Sequence, residues 1–152
     1  MVAARATQGG FTITELMIVV AVASVLVAAA LPSYTQFVRN QRVKTASFEL
    51  FSTLIQARSE AIVRNASVTI TLTGGNWANG WTVTDSGGAT LRTESSIPNI
   101  TLTGPASVTY NGSGRLAATV TPFEMTATGS GITARCITLD LSGRPVSKAT
   151  TC

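Results

Sequence analysis

The chain has 152 residues, which is enough for one globular domain on the end of one long helix but short for two domains. Only 12% of the residues are charged and the formal net charge is +4, so Thr, Ser, Asn and Gly must supply most of the polar surface, as in exported β-rich domains. The sequence has no His, which excludes Ser-His-Asp and Cys-His nucleophile pairs, and its two Cys cannot provide the four ligands of a zinc site. We therefore expect no catalytic residues, no metal and no cofactor.

The first feature along the chain is a leader followed by an apolar stretch. Residues 1–10 are rich in small residues and positive only through Arg5 and the amino terminus, which is typical of a leader peptide. Leu16 to Leu31 is apolar except for Ser24, and a helix of that length crosses most of a bilayer. A secretory signal peptide is the alternative, but its apolar segment is usually shorter and its cleavage site follows that segment.

Glu15 is the unusual residue of this stretch. No other charge stands between it and Arg39, and an unpaired carboxylate in hydrocarbon costs roughly 3 kcal/mol on insertion scales. A signal peptide or an ordinary membrane anchor has no use for it. We expect the carboxylate to be paired, to snorkel to the membrane surface, or to be functional.

The arrangement resembles the N-termini of type IV pilins and of the pseudopilins of type II secretion. In that family a prepilin peptidase cuts after a Gly, the new N-terminal Phe is N-methylated, and a Glu is the fifth residue of the mature chain. The matching residues are Gly10, Phe11 and Glu15, and Pro32 is similar to the family's helix-kinking proline. The resemblance implies that residues 11–38 cross the inner membrane once before assembly and then pack against the helices of other pilins. Pairing between the Phe11 ammonium and the Glu15 carboxylate of a neighbouring subunit would set the axial register.

A helical pattern continues beyond Pro32. Apolar residues recur at three- and four-residue steps and predict an amphipathic helix that ends near Asn65: Val43, Ala46, Leu50, Leu54, Ala57 and Ala61. A second set widens this stripe, which favours a helix laid across a sheet over a two-stranded coiled coil: Phe48, Phe51, Ile55 and Ile62.

From Ser67 the pattern becomes alternating. The segments SVTITLT, GWTVT, NITLT and ITARCITLDL are rich in β-branched residues and are separated by glycine-rich turns, so they predict an antiparallel β domain. The fold class is α+β, with a globular domain over residues 39–152. We expect three prolines to keep their neighbours at sheet edges: Pro98, Pro105 and Pro122. A glycosidase-type carboxylate pair stays open as a catalytic alternative, since four acids are scattered through this region: Asp85, Glu94, Glu124 and Asp140.

The two cysteines, Cys136 and Cys152, both lie in the last segment of the chain. A disulfide between them would close a loop of roughly 15 residues, contribute about 3 kcal/mol to stability and indicate an oxidising compartment. Two free thiols in a cytosolic protein are the alternative, which fits poorly with an export-type N-terminus. We predict the disulfide.

The β region resembles the GspH/FimT family of minor pilins. The segments that carry the resemblance occur in the family's order: ARSEAIVRN, SVTI, NWANGWTV, TYNGSGRL and RCITLDLSGRPV. The resemblance implies the pilin fold, and a low-abundance subunit of a type IV pilus that primes assembly or lies at its tip. Its partners would be other pilins, prepilin peptidase and the inner membrane, with the globular domain periplasmic and later extracellular. A type II secretion minor pseudopilin is an alternative, but the Cys after the SGR segment looks more like FimT or FimU.

Five further residues of these segments have ordinary structural interpretations. Trp77 and Trp81 are expected to anchor strands or close the core. Arg58, Glu60 and Arg64 are expected to form a solvated or intrahelical ion-pair face.

A second alternative is a minor pilin that captures DNA during natural transformation. FimT-type receptors carry a Gly-Arg-x-Arg motif, and the matching residues here are Gly143 and Arg144, with Val146 at the second arginine's place. The candidate phosphate-binding cations are Arg144 and Lys148, with Arg135 nearby. We expect weak or absent binding from so few charges.

Overall fold

A long helix opens the fold. The structure, a computed structural model, describes residues 10–152, so residues 1–9 of the predicted leader lie outside it. Helix α1 spans Ile13–Arg64, in agreement with the predicted helix, and its assignment continues through Pro32. The family's kink at Pro32 stays a prediction. The chain divides into two compact units, the first ending at Thr35 and the second spanning Gln36–Cys152.

The first turn of α1 is capped by its own sequence. The Thr12 hydroxyl oxygen accepts a hydrogen bond from the Glu15 backbone N–H at 3.2 Å, which makes Thr12 the N-cap. Glu15 lies in the first turn, where a negative charge interacts favourably with the helix dipole. Further along, the Ser24 hydroxyl donates to the Ala21 carbonyl at 2.8 Å, so this polar group is satisfied within the helix.

Eight strands and a short 3-10 helix, Trp77–Asn79, follow α1 in the described part of the chain. The strands are β1 Val68–Leu72, β2 Trp81–Asp85, β3 Thr90–Glu94, β4 Thr101–Thr103, β5 Ser107–Tyr110, β6 Phe123–Thr126, β7 Arg135–Leu139 and β8 Pro145–Lys148. They form two four-stranded sheets, in the orders β3-β2-β1-β5 and β4-β6-β7-β8. All the pairings are antiparallel, so the predicted antiparallel β domain is confirmed.

One stripe of α1 packs against the sheets. Its six predicted core residues, from Val43 to Ala61, are at most 1% exposed, which confirms the periodic pattern. The predicted widening of the stripe is confirmed at Phe51, which is half-buried and packs against the core. It was wrong for Phe48, Ile55 and Ile62, which are 61%, 47% and 50% exposed. At 100° per residue these side chains lie on the opposite flank of the helix, which neither sheet reaches.

The tryptophans join the layers as predicted. Trp81 is fully buried and its indole N–H donates to the Thr53 hydroxyl at 3.3 Å, which ties β2 to α1. Trp77 donates to the Pro105 carbonyl at 2.7 Å and meets the Phe123 ring edge-on at 4.9 Å. A buried polar tip with a partner is the condition under which Trp stabilises a core.

The prediction that three prolines keep their neighbours at sheet edges holds for two of them. Pro98 and Pro105 precede β4 and β5, which are edge strands. Pro122 precedes β6, which lies between β4 and β7, so the edge prediction is wrong for it. Pro122 stands just outside the ladder, where its missing N–H costs no hydrogen bond.

Candidate assembly surface

The Gly10–Phe11 peptide bond, which we expect to be cut, is accessible to solvent in the structure. Gly10 and Phe11 precede the helix and are exposed, with Phe11 81% exposed. A Cβ added at Gly10 meets no heavy atom within 4 Å, and its φ lies outside the left-handed region. The fold therefore does not require glycine at this position, which leaves recognition by another protein as a reason for it.

The Glu15 carboxylate is exposed, and no hydrogen bond or ion pair reaches it from residues 10–152. Its backbone N–H serves the N-cap, but its charged oxygens have no partner there. The arrangement leaves a carboxylate available at the start of an apolar helix.

The apolar surface after Glu15 is large. An 18-residue window of α1 reaches a mean hydropathy of 2.5, and none of it is buried by the rest of the described chain. The large apolar side chains from Leu16 to Leu31 are each 55–69% exposed. Such a surface is stable only against lipid or against other proteins.

A second exposed apolar surface lies on the globular unit. It is the outer flank of α1, formed by Phe37, Phe48, Ile55 and Ile62, which are 65%, 61%, 47% and 50% exposed. Their spacing of three- and four-residue multiples places them on one side of the helix, as in helices that pack against a second helix.

The C-terminal hairpin holds the segment of the Gly-Arg match. Asp140 and Gly143 lie in the turn between β7 and β8, and Asp140 accepts hydrogen bonds from the Ser142 hydroxyl and the Arg144 backbone N–H. These hydrogen bonds hold the pKa of Asp140 below its usual value, and the bond from Ser142 has the largest effect. The carboxylate therefore stays charged beside Arg144 and partly offsets its positive charge.

Gly143 has a structural reason of its own. Its φ is +78°, and a Cβ there would meet the Gly114 carbonyl oxygen. Arg58 of α1 donates to the same oxygen at 2.9 Å, so the turn at Gly114 lies between α1 and the turn at Gly143. The predicted ion-pair face is confirmed for Glu60 and Arg64, which are 2.8 Å apart, but was wrong for Arg58.

Cys136 and Cys152 form a disulfide with a Cα–Cα distance of 5.2 Å, in agreement with the expected pairing. Cys136 is buried in β7, and Cys152 is the last residue of the chain. The bond attaches the tail after β8 to the second sheet.

The three candidate DNA cations do not share one surface. Lys148 pairs with Cys136 at one end of the hairpin, while Arg144 lies in the turn about 13 Å away along the strand. Lys148 follows Ser147, which contacts Ser47 of α1, so its side chain leaves the opposite face of the sheet.

Arg135 lies on the helix side instead. It lines a cavity of 150 Å³ together with Phe37 and Lys44 of α1. Sequence reasoning missed the Lys44–Arg135 neighbourhood, since 91 positions separate the two residues and only the β6–β7 connection brings them together.

The described residues place several acids of the globular unit beside arginines. Residues 10–152 contain no group of three or more Cys, Asp or Glu that could hold a metal ion. A cavity of 530 Å³ between α1 and β2–β3 has Glu60 as its single lining carboxylate, which lies against Arg64. Asp85 also faces Arg64, at 3.6 Å, and Glu94 is paired with Arg92.

Comparison with known proteins assigns this fold and N-terminus to a family. The model of the Type II transport protein GspH matches residues 46–143, and that of the prokaryotic N-terminal methylation motif matches residues 5–31. The chain belongs to the GspH family. The two matches together cover the apolar N-terminal segment and most of the β domain, and the family and the fold are those of structural pilins.

Two solved structures share the fold of this GspH-family chain. Both are crystal structures of the type IV minor pilin FimU of Pseudomonas aeruginosa strain PAO1. The first has a TM-score of 0.60 at 22% identity and covers 74% of this chain and 92% of that chain. The second has a TM-score of 0.56 at 23% identity and covers 69% and 91%. No curated protein matches the chain in sequence.

Proposed function

We propose that this GspH-family chain is a minor pilin of a type IV pilus, a structural subunit cut after Gly10 and N-methylated at Phe11. The observation that carries the proposal is the apolar half of α1, which residues 10–152 leave wholly unburied directly after an exposed Gly10–Phe11 bond. Before assembly, lipid covers this half-helix. In the filament, the helices of neighbouring subunits replace the lipid.

Apolar packing alone does not set a register, because lipid tails and apolar helices are similar surroundings for Val and Leu. The new ammonium of Phe11 and the Glu15 carboxylate supply the missing specificity. Opposite charges in a low-dielectric setting stabilise each other strongly only in the right geometry, so one axial offset between subunits is favoured. The exposed outer flank of α1 adds contact area at the level of the globular units.

A subunit of a type II secretion pseudopilus is the second candidate, favoured by the description of the matching family model. The likeness to FimU and the cysteine-closed C-terminal hairpin support the pilus. The two candidates separate in the cell. A pilus subunit appears in sheared filaments and its deletion lowers piliation, whereas deletion of a pseudopilin stops export of secreted enzymes.

The assembly mechanism is tested with Glu15→Ala, and Glu49→Ala, which removes a carboxylate of the amphipathic half, is the matched control. We expect both variants to enter the membrane and only Glu15→Ala to be incorporated poorly into filaments. Mass spectrometry of the membrane-extracted protein should give Phe11 as the mature N-terminus. Another N-terminus, or normal incorporation of Glu15→Ala, contradicts the proposal.

DNA capture is a separate proposal with less support. Arg135 lies on the helix side of its sheet, Lys148 leaves the other face, and Arg144 lies about 13 Å from Lys148 along the hairpin, next to Asp140. Titration of the protein with duplex DNA at two salt concentrations tests it. Phosphate binding predicts an affinity that falls as salt rises with a log–log slope of about −0.9 per contact, and a smaller slope for Arg144→Ala. Binding without salt dependence would refute it.

A further inference from the structure

Three cations follow the membrane segment without any compensating acid. Arg39, Arg42 and Lys44 stand within six residues, and the first carboxylate after Glu15 is Glu49. All three are exposed, and within residues 10–152 no carboxylate lies within 4.0 Å of their charged atoms. At 100° and 1.5 Å per residue they point to different sides of α1 within about 8 Å along its axis.

The fold brings a fourth cation and an aromatic ring to the same level. Arg135 lines one cavity with Lys44, and Phe37 lines that cavity and also a second one beside Arg42. Phe37 is 65% exposed although it is large and apolar. We call these five residues the cationic collar: Phe37, Arg39, Arg42, Lys44 and Arg135.

Arg39 also has a structural role, because it binds the connection between β6 and β7. It donates to the Thr128 carbonyl at 2.7 Å, while Asn40 accepts from the Thr133 backbone N–H at 2.8 Å. These bonds fix the connection between β6 and β7 beside α1 and so place Arg135 next to Lys44. The collar is thus positioned by the folded unit as well as by the helix.

A ring of charges around a helix fits a planar surface that the helix crosses, whereas a duplex or an acidic segment needs cations along one side. A large apolar side chain such as Phe37 beside Lys and Arg is typical of segments that bind a membrane surface, where the ring enters the apolar boundary and the cations stay at the headgroups. In the proposed topology these cations follow the membrane span on the periplasmic side. The positive-inside rule favours cations on the cytoplasmic side, so membrane topology alone does not account for them.

We propose that the cationic collar binds the headgroups of anionic phospholipids while the subunit waits in the membrane. The inference deepens the proposed function and rests on it in placing residues 11–38 in the bilayer. The collar would hold the globular unit against the membrane surface, and assembly would have to release these headgroup contacts.

The test uses the full chain in vesicles that contain phosphatidylcholine with spin-labelled phosphatidylglycerol or spin-labelled phosphatidylcholine. The relative association of the two labels with the protein measures headgroup preference. We expect about a three- to fivefold preference for phosphatidylglycerol, which falls at high salt because exposed charges are screened.

The decisive variant is Arg42→Gln/Lys44→Gln/Arg135→Gln, which keeps Arg39 because that side chain holds the Thr128 carbonyl. We expect its preference to approach one. The control, Arg115→Gln/Arg144→Gln/Lys148→Gln, loses the same charge at exposed sites elsewhere and should keep the preference. Arg42→Lys/Arg135→Lys should keep it as well, which separates lost charge from lost folding.

An unchanged preference in the collar variant would overturn the inference. So would duplex DNA binding that the collar variant loses while its lipid preference persists, because the collar would then be a nucleic-acid surface. A chain that enters vesicles of neither lipid contradicts the proposed function. A chain that enters but shows no preference contradicts the collar alone.

Discussion

The two stretches of α1 have similar residue types and opposite environments. Up to Leu31, every large apolar side chain of the span is at least 55% exposed, whereas Val43, Leu50 and Leu54 are fully buried. The difference lies in what covers them, since two sheets pack on one stripe of the second stretch. Apolar content therefore indicates that a partner is needed, and within the described part of the chain only the second stretch finds one.

Truncating one leucine in each stretch tests the difference between their environments. Leu54→Ala removes a side chain that is 0% exposed and should lower the free energy of unfolding by about 2–5 kcal/mol. Leu26→Ala, 65% exposed, should leave it unchanged. Denaturant unfolding of the detergent-solubilised chain, followed by Trp fluorescence, measures both. Equal losses would show that the first stretch has a partner within the chain.

The second prediction concerns the disulfide of the globular unit. Replacing Cys136 and Cys152 together by Ser should lower the free energy of unfolding by about 3 kcal/mol, since the loop it closes spans 16 positions. Amide hydrogen exchange should rise in β8 and the tail more than in α1. Exchange that rises equally along α1 would contradict a local role, and membrane insertion should be unaffected.

The third prediction concerns the packing around Gly143 in the Gly-Arg segment. Gly143 and Gly75 have nearly the same φ, +78° and +77°, but a Cβ at Gly75 meets nothing within 4 Å while one at Gly143 meets Gly114 and Tyr110. Gly75→Ala should cost about 1 kcal/mol of stability, and Gly143→Ala about 1–3 kcal/mol more. Thermal unfolding measures both. Equal losses would leave the Gly143 position unexplained by packing.

How far the sequence predicts this fold depends on burial. The core stripe of α1 and strands β1, β2, β4 and β7 were predicted because buried positions recur with a regular period. Strands β3, β5, β6 and β8 were not. In β3, Arg92 and Glu94 are half-buried and paired with each other, so no apolar alternation marks the strand. In β8 nearly every residue is exposed and only its pairing with β7 defines it.

The outer flank of α1 and the C-terminal cations were harder to predict, because their surroundings depend on how the helix and strands pack in the tertiary fold. Phe48 and Ile55 fit a wide core stripe by spacing, and only the reach of the sheets decides that they stay exposed. Arg135, Arg144 and Lys148 lie within fourteen positions of one another, but pleating and the hairpin turn send them to different places.

The smallest expected effect is at Tyr110, which is fully buried and whose hydroxyl has no hydrogen-bond partner in the described chain. Burial raises its pKa far above the usual value near 10, and the nearby Arg58 offsets this only in part. Below pH about 10 both folded and unfolded states hold the proton, so stability is unaffected there. Above it the unfolded state releases the proton first, and stability falls by about 1.4 kcal/mol per pH unit. Tyr110→Phe should abolish this alkaline loss and be neutral or slightly stabilising at pH about 8, because an unpartnered hydroxyl loses its hydration on burial. Tyr34→Phe, at a residue 66% exposed, should retain the loss, and an alkaline loss that persists in Tyr110→Phe would assign it to another group.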